Sequence, residues 1–480
     1  MSAQVISRAA IALNRFGLGA RPDDSPPLDP PAFLTQQFER YAPAPDAFAK
    51  LPEAGILVQN YQADQRARRE AAAMPQSGSS GSGEQQAPQL QQALAARKDD
   101  AQQIRALFRQ AVQARMASAL TTDAPFVERL VHFWSNHFCV SADNPQVTAF
   151  AGAFERDAIR PHVLGRFEDM LMAVEQHPAM LLYLNQNQSI GPDSPAAQRA
   201  SLHGGKVRGL NENLAREIME LHTLGVRTGY TQGDVTEFAR ALTGWSVDGL
   251  GARGSRDGDD TVGFQFKPQA HEPGVRTVLG KRYAPGGEEQ AGAMLGDFAR
   301  APQTATHIAT KLARHFAGDV PPPALVGRLA ESFARTRGDL KALYGVLINS
   351  PECWEPGAVR FKSPWEWTVS ALRGLGRTDP GQLTIEGTQQ QLGQPVWKPG
   401  SPAGWDDTSA TWAAPDALLR RVELAQRLAA QTAGTLDARS LAPKLLPGSL
   451  SAATAQQIER AESPAVALAL LLVSPDFLRR

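Results

Sequence analysis

Apolar residues recur at three- and four-residue spacing along most of the chain, the periodicity of amphipathic helices that pack one face onto a core. The pattern predicts short helices over residues 9–20 and 31–41, joined by a turn-rich stretch at 19–27, and a longer helix over 52–74. Residues 75–83, Pro-Gln-Ser-Gly-Ser-Ser-Gly-Ser-Gly, interrupt it. Such small polar side chains bury too little surface to offset the entropy of ordering them, so 76–86 reads as a flexible linker. Helical periodicity is sustained over 89–120 and 124–138, with Pro88 suited to a first turn. Further helices are predicted at 147–159, 167–174, 211–224 and 231–242. Thr231 and Asp234 form a near-capping box, and Gly225 and Gly244 stand where helix ends favour a residue without a Cβ.

The period changes between 248 and 283. Val262-Gly-Phe-Gln-Phe266 alternates with period two and Thr277-Val-Leu279 follows, which predicts a small β-hairpin. Helical spacing returns over 287–349, 363–375 and from 415 onward, leaving an irregular Pro-, Gly- and Trp-rich loop at 392–412. The expected fold is mainly α, a multi-helix bundle-like body with a β-hairpin insertion near 260–283. Along the chain this gives N-terminal helices (1–75), the linker (76–86), a central helical region (87–250), the insertion (251–285) and a C-terminal helical region (286–480). Val346-Leu-Ile-Asn-Ser-Pro-Glu-Cys-Trp354 resembles Leu471-Leu-Val-Ser-Pro-Asp-Phe477, either as two related helical units or as one turn solution used twice.

At 480 residues the chain exceeds one ordinary core, so two or three helical subdomains in one body are expected. Lys plus Arg and Asp plus Glu both total 49, which removes the basic footprint that nucleic acid requires. Two cysteines, Cys139 and Cys353, exclude zinc fingers, Cys-x-x-Cys redox chemistry and a disulfide framework, leaving one bridge open. No run reaches the roughly 18 apolar residues of a membrane span. The first residues show no charged segment followed by a long apolar run, so the expected compartment is the cytoplasm. There is no phosphate-binding Gly-x-x-x-x-Gly-Lys, no Gly-x-Gly-x-x-Gly after a strand and no Gly-x-Ser-x-Gly elbow.

Several long mixed segments resemble the bacterial family called domain of unknown function 1800. They are Asn14-Arg-Phe-Gly-Leu-Gly-Ala-Arg21, Glu128-Arg-Leu-Val-His-Phe-Trp-Ser-Asn-His-Phe138 and Asn211-Glu-Asn-Leu-Ala-Arg-Glu-Ile-Met-Glu-Leu-His-Thr-Leu-Gly225, then Gly229-Tyr-Thr-Gln232 and Asp234-Val-Thr-Glu-Phe-Ala-Arg-Ala-Leu-Thr-Gly-Trp245. His271-Glu-Pro-Gly274, Phe361-Lys-Ser-Pro364 and Gln394-Pro-Val-Trp-Lys-Pro399 complete the set, so the resemblance spans nearly the whole chain. It implies no defined reaction. It does imply a shared task with a sulfatase-like family, domain of unknown function 1501, whose genes commonly neighbour it, and an exported or periplasmic location.

Candidate chemistry clusters on three helices. Glu128, His132 and Asn136 are spaced i,i+4 and share a face on which a metal or a proton is held, unless they satisfy buried backbone instead. Glu217 and Glu220 are i,i+3 neighbours with His222 beside them; Glu-x-x-Glu-x-His does not fit the di-metal Glu-x-x-His pattern, and His222 alternatively meets the helix C-terminal dipole. Asp234, Glu237 and Arg240 continue the polar series, with Arg240 placed to neutralise a carboxylate cluster. The expected catalytic set is Glu217, Glu220, His132, His222, Arg240 and the loop residue His271; the expected ligands for a divalent metal are Glu128, His132, Glu217 and Glu220. Lys311 and His315 read as a solvated or partner-paired face. Trp365, Trp367, Trp397, Trp405 and Trp412 read either as a cover over the core or as a surface for a sugar ring or protein partner. Two functions follow: an enzyme with a carboxylate and histidine site between helices, or a non-catalytic partner or maturation factor of a sulfatase-like protein.

Overall fold

The computed structural model describes residues 6–53, 55–63, 83–204, 209–247, 263–357, 360–432 and 434–480. The chain is mainly α, with two small antiparallel two-stranded sheets among the described residues. No helix of the described residues is long and apolar enough to cross a membrane. The N-terminal helix starts at Arg8 because the Ser7 hydroxyl accepts from Ala10 N, and it widens into a π-helical turn over Ile11–Phe16. Pro30–Arg40 follows, capped by Asp29. The helix predicted at 52–74 is present over 55–63, and the rest of it lies outside the described residues. So does 76–82 of the predicted linker, while from Gly83 the chain is already in the helix Gly83–Thr121.

Helix Pro125–His137 is buried nearly all round, which fits its run of apolar residues on every face. The predicted 147–159 helix is three pieces, Pro145–Thr148, Ala151–Phe154 and the π turn Glu155–Ile159. The 211–224 helix is Asn213–Glu217 running into a third such π turn, Ile218–His222. Thr231 and Asp234 form a full capping box at the start of Gln232–Leu242. Both Gly225 and Gly244 adopt positive φ, 92° and 90°, where a Cβ is strained.

The β insertion pairs differently from the simplest hairpin. Phe264–Phe266 pairs with Trp245–Val247, directly after a helix, and Arg276–Val278 turns back onto Lys281–Tyr283. The 287–349 run is divided into Glu288–Arg300, Pro302–Ala317, Pro323–Thr336 and Leu340–Asn349, two of its breaks set by prolines at first-turn positions. Pro364–Gly374 begins with a second full capping box, Ser363 with Glu366.

Two hydrophobic cores result. One gathers residues from Ile11 to Trp354, including Trp134, Phe150, Phe167, Trp245 and Phe316. The other combines Leu13, Leu18 and the 108–120 part of the long helix with Trp367, Leu424, Leu468 and Phe477 from the C-terminal half. The N-terminal turn and the long helix thus tie the cores together. At their junction Gly152 lies against Ala111, where an added Cβ would fall inside 3.0 Å of the Ala111 Cβ. Gly152→Ala should therefore overpack the seam and cost about 1–3 kcal/mol, read as a lower urea midpoint with unchanged m-value.

Candidate functional site

Helix Pro125–His137 carries charge into the junction. Arg160 grips the Glu128 carboxylate with both Nη atoms, at 2.9 and 2.6 Å, and reaches Glu155 Oε1 at 3.0 Å. Arg115 Nε lies 2.7 Å from Glu155 Oε2, which also accepts from the Ser135 hydroxyl at 3.1 Å. All four charged side chains are buried. Burial works against the Glu155 charge, but Arg115 and Arg160 outweigh it and hold the carboxyl below its usual range. Burial likewise lowers Arg115, partly offset by Glu155, whereas Arg160, between two carboxylates, ends above its usual value. Breaking such a set leaves a buried charge uncompensated.

A cleft of about 100 Å³, partly open to solvent, lies beside this network. It is lined by His132, Phe133 and Asn136 of helix Pro125–His137, by Trp365 and Glu366, by Gln394 to Trp397 with Trp405 and Trp412, and by Arg360, Arg480 and His315. Glu366, at the third position of its helix, accepts from Arg129 and, at 2.9 Å, from Arg480, while its other oxygen accepts from Ser363 N at 2.9 Å. Burial opposes its charge, yet Arg480 and Arg129 hold it ionised, well below the ordinary carboxylate range. Arg129 is engaged through all three of its nitrogens, donating also to the Gly17 and Asn14 carbonyls at 2.8 and 3.4 Å.

The loop at 392–412 is pinned rather than free. The Asn136 amide accepts from Trp405 N at 2.7 Å and donates to Trp405 O at 3.0 Å. Ala142 N donates to Trp397 O at 2.7 Å, and Trp397 is held at φ 49°, a left-handed conformation that costs a bulky residue energy. Trp365, Trp397 and Trp412 are buried and Trp405 is half-buried, so these rings chiefly cover the core.

His132 is the predicted site residue that the cleft contains. The Trp365 indole N–H donates to its Nδ1 at 3.3 Å, and Glu128 Oε1 is 3.6 Å from its Nε2, which has no hydrogen-bond partner. Burial, then the charges of Arg115 and Arg160, keeps this imidazole neutral. The neutral ring therefore carries its proton on Nε2.

The other predicted residues lie elsewhere. Glu128 is committed to Arg160. Glu220 pairs with Arg216 at 3.5 Å and Arg240 with Glu237 at 2.9 Å, on the partly exposed side of their helices. Glu217 is half-buried, and burial pushes its carboxyl up. His271 sits between the Thr243 and Gly286 carbonyls at 2.9 and 3.0 Å and anchors its loop. Among the described residues no group of three or more His, Cys, Asp or Glu can hold a metal ion, so Glu128, His132, Glu217 and Glu220 do not assemble into the expected metal site. The side chains project from helices that meet different neighbours, a relation that i,i+3 and i,i+4 spacing cannot specify.

His222 belongs to a buried histidine cluster. Its Nδ1 is 2.7 Å from Glu175 Oε1; His137 Nε2 meets its carbonyl at 3.1 Å and His307 Nε2 meets the Leu221 carbonyl at 3.0 Å. The two imidazoles serve carbonyls of the π turn. Burial first and Lys311 second lower His137 well below its ordinary value and His307 to about 4. Lys311 itself lies 3.8 Å from Asp407, so the expected face is partner-paired, while His315 points into the cleft region.

The residues missed from sequence are Arg115, Glu155, Arg160, Arg360, Glu366 and Arg480. Charges inside apolar helical stretches, such as Arg129 and Arg160, were one usable signal, and the Ser363-x-x-Glu366 box was another. Glu155→Gln removes the shared anion between Arg115 and Arg160, and should cost about 3–5 kcal/mol in urea unfolding. A second expectation concerns pH. An unfolded histidine binds its proton near pH 6.5, but folded His307 does so only at about 4. Between those values the unfolded state holds more protons, so stability falls as pH drops through that window. The urea midpoint should fall between pH 7 and pH 5, and less steeply in His307→Gln.

Taken as a class, the chain is a mainly α protein with a charged, tryptophan-flanked cleft where two cores meet. It belongs to the family described as "Protein of unknown function (DUF1800)", whose model matches residues 11–479. No curated protein and no solved structure is significantly similar to it.

Proposed function

We propose that this protein is an enzyme whose working site is the cleft between the two cores, with His132 as its proton-transfer group. The observation that carries the reading is convergence. Three of the segments that carry the family resemblance, Glu128 to Phe138, Phe361 to Pro364 and Gln394 to Pro399, contribute His132, Phe133, Asn136, Ser363, Gln394, Trp397 and Pro399 to one cavity. A neutral imidazole lining a cleft beside fixed guanidiniums suits proton transfer at a group whose developing charge those guanidiniums stabilise. Junctions between packed units are also where clefts for small molecules concentrate.

The alternative is docking onto a sulfatase-like partner through the 392–412 loop. Support for it is weaker, because the Asn136 clamp and the burial of Trp397 and Trp412 leave Trp405 as the partly open ring. A panel of chromogenic nitrophenyl esters and glycosides separates the two. Turnover that falls by about 100-fold or more in His132→Gln, with the melting temperature within a few degrees of wild type, is the expected result. Undiminished turnover in that variant, or loss of a pull-down in Trp405→Ala with no turnover of any compound, would overturn it.

A further inference from the structure

Much of the unused hydrogen-bonding capacity of the cleft is donor capacity. Two of its carboxylates are engaged by hydrogen bonds, Glu366 by Arg129, Arg480 and Ser363 N and Asp406 by Thr408 N and its hydroxyl, both at 2.9 Å, while Asp407 is ion-paired with Lys311 at 3.8 Å. Arg129 and Arg480 are engaged as well, but two of its guanidiniums are not. Arg115 uses Nε on Glu155, and no described residue accepts from its Nη atoms, although the guanidinium is fixed over the Trp365 ring at 4.5 Å and the Trp397 ring at 5.3 Å. Arg360 donates through Nη1 to the Arg314 carbonyl at 2.9 Å, with Asp319 3.7 Å away. Its Nε is buried without a partner, and no described residue accepts from its Nη2. Gln394 accepts Trp365 N–H through Oε1 at 2.8 Å, which leaves its amide N–H₂ without a described acceptor. The two cleft histidines, His132 and His315, are held neutral by burial and by neighbouring arginines and supply no compensating anion.

Buried donors without acceptors are costly, and guanidinium forks match the paired oxygens of a carboxylate, phosphate or sulfate. We infer that the cleft binds the oxyanion group of its ligand through Arg115 and Arg360, with Gln394 as a neutral donor. This rests on the cleft being the working site. A cavity of about 100 Å³ takes a single oxyanion group and little more, so the remainder of the ligand lies outside it. Arg115 is held in place by two indoles and a carboxylate, so it meets the ligand with little ordering entropy left to lose.

The test is calorimetric titration of the full chain with inorganic phosphate, inorganic sulfate and acetate at constant ionic strength, with sodium chloride as the screening control and glycerol as a neutral one. Saturable binding of at least one oxyanion is expected, absent with chloride and glycerol. Affinity should fall about ten- to a hundredfold in Arg360→Gln, the loss expected for a charge-assisted hydrogen bond. Arg360→Lys keeps the charge without the fork, and should weaken binding even where Arg360→Gln does not fold. The inference fails if none of the oxyanions binds more tightly than chloride, or if both variants bind as wild type does. His132-dependent turnover of a neutral compound with no oxyanion binding would defeat this inference alone. Arg360-dependent oxyanion binding together with undiminished turnover in His132→Gln would defeat the catalytic reading and keep this one.

Discussion

Four charges buried between two cores must satisfy one another, and most of the arrangement follows from that constraint. A carboxylate or guanidinium taken out of water costs several kcal/mol unless its partners are geometrically fixed. Glu128, Glu155, Arg115 and Arg160 come from the Pro125–His137 helix, a π turn, the long Gly83–Thr121 helix and the segment after the π turn. Joining them sets how those elements cross. The hydroxyls of Ser118 and Ser135 and the indole of Trp397 take up remaining carboxylate lone pairs, at 3.2, 3.1 and 3.4 Å. The seam is therefore specified by polar geometry as well as by packing, and the 394–399 loop is attached to it through Trp397.

The same logic recurs at two places where a helix opens into a π turn. A wider turn leaves backbone carbonyls without their ordinary partners, and buried carbonyls need others. At Ile11–Phe16 and the turn after it, Arg129 takes the Asn14 and Gly17 carbonyls and Arg373 takes that of Gly19 at 2.9 Å. At Ile218–His222, His137, His307 and the Thr223 hydroxyl do so. This explains why the segments that mark the family are dense in Arg, Asn and His although most of these residues are distant from the cleft. Much of that polar signature is structural.

How far the sequence could be read follows from these interactions. Helices such as Pro125–His137 and Gln232–Leu242 were legible because an amphipathic or uniformly buried face and a capping box are local properties. The π turns were not, because one added residue per turn barely disturbs an apolar period. The pairing of Phe264–Phe266 with Trp245–Val247 was missed because Trp-Ser-Val follows a helix directly and is too short to show alternation. Glu128 and His132 were legible as a pair, being four residues apart. Arg160, 32 residues beyond Glu128, decides what Glu128 does, and nothing in the local pattern announces it. Glu217, Glu220 and Arg240 had suitable chemistry and spacing, but Glu220 and Arg240 belong to surface pairs and Glu217 stands half-buried apart from the cleft, because i,i+4 proximity says nothing of which helix lies opposite.

Cleft and seam share residues, and this shapes what substitutions can reveal. Arg115 contributes Nε to the buried network and, stacked on two indoles, faces the cavity with the rest of its guanidinium. Glu366 caps its own helix, neutralises Arg129 and Arg480, and forms cleft wall. Changes at either residue alter folding and the site together, so loss of function there would not distinguish a catalytic from an architectural role. Arg360, Gln394 and Trp405 take no part in the four-charge network, and a cleft that works on a ligand must depend on them more than the fold does. A cavity with only structural significance would show the reverse order, its tolerance rising steadily from the buried carboxylates to the rim.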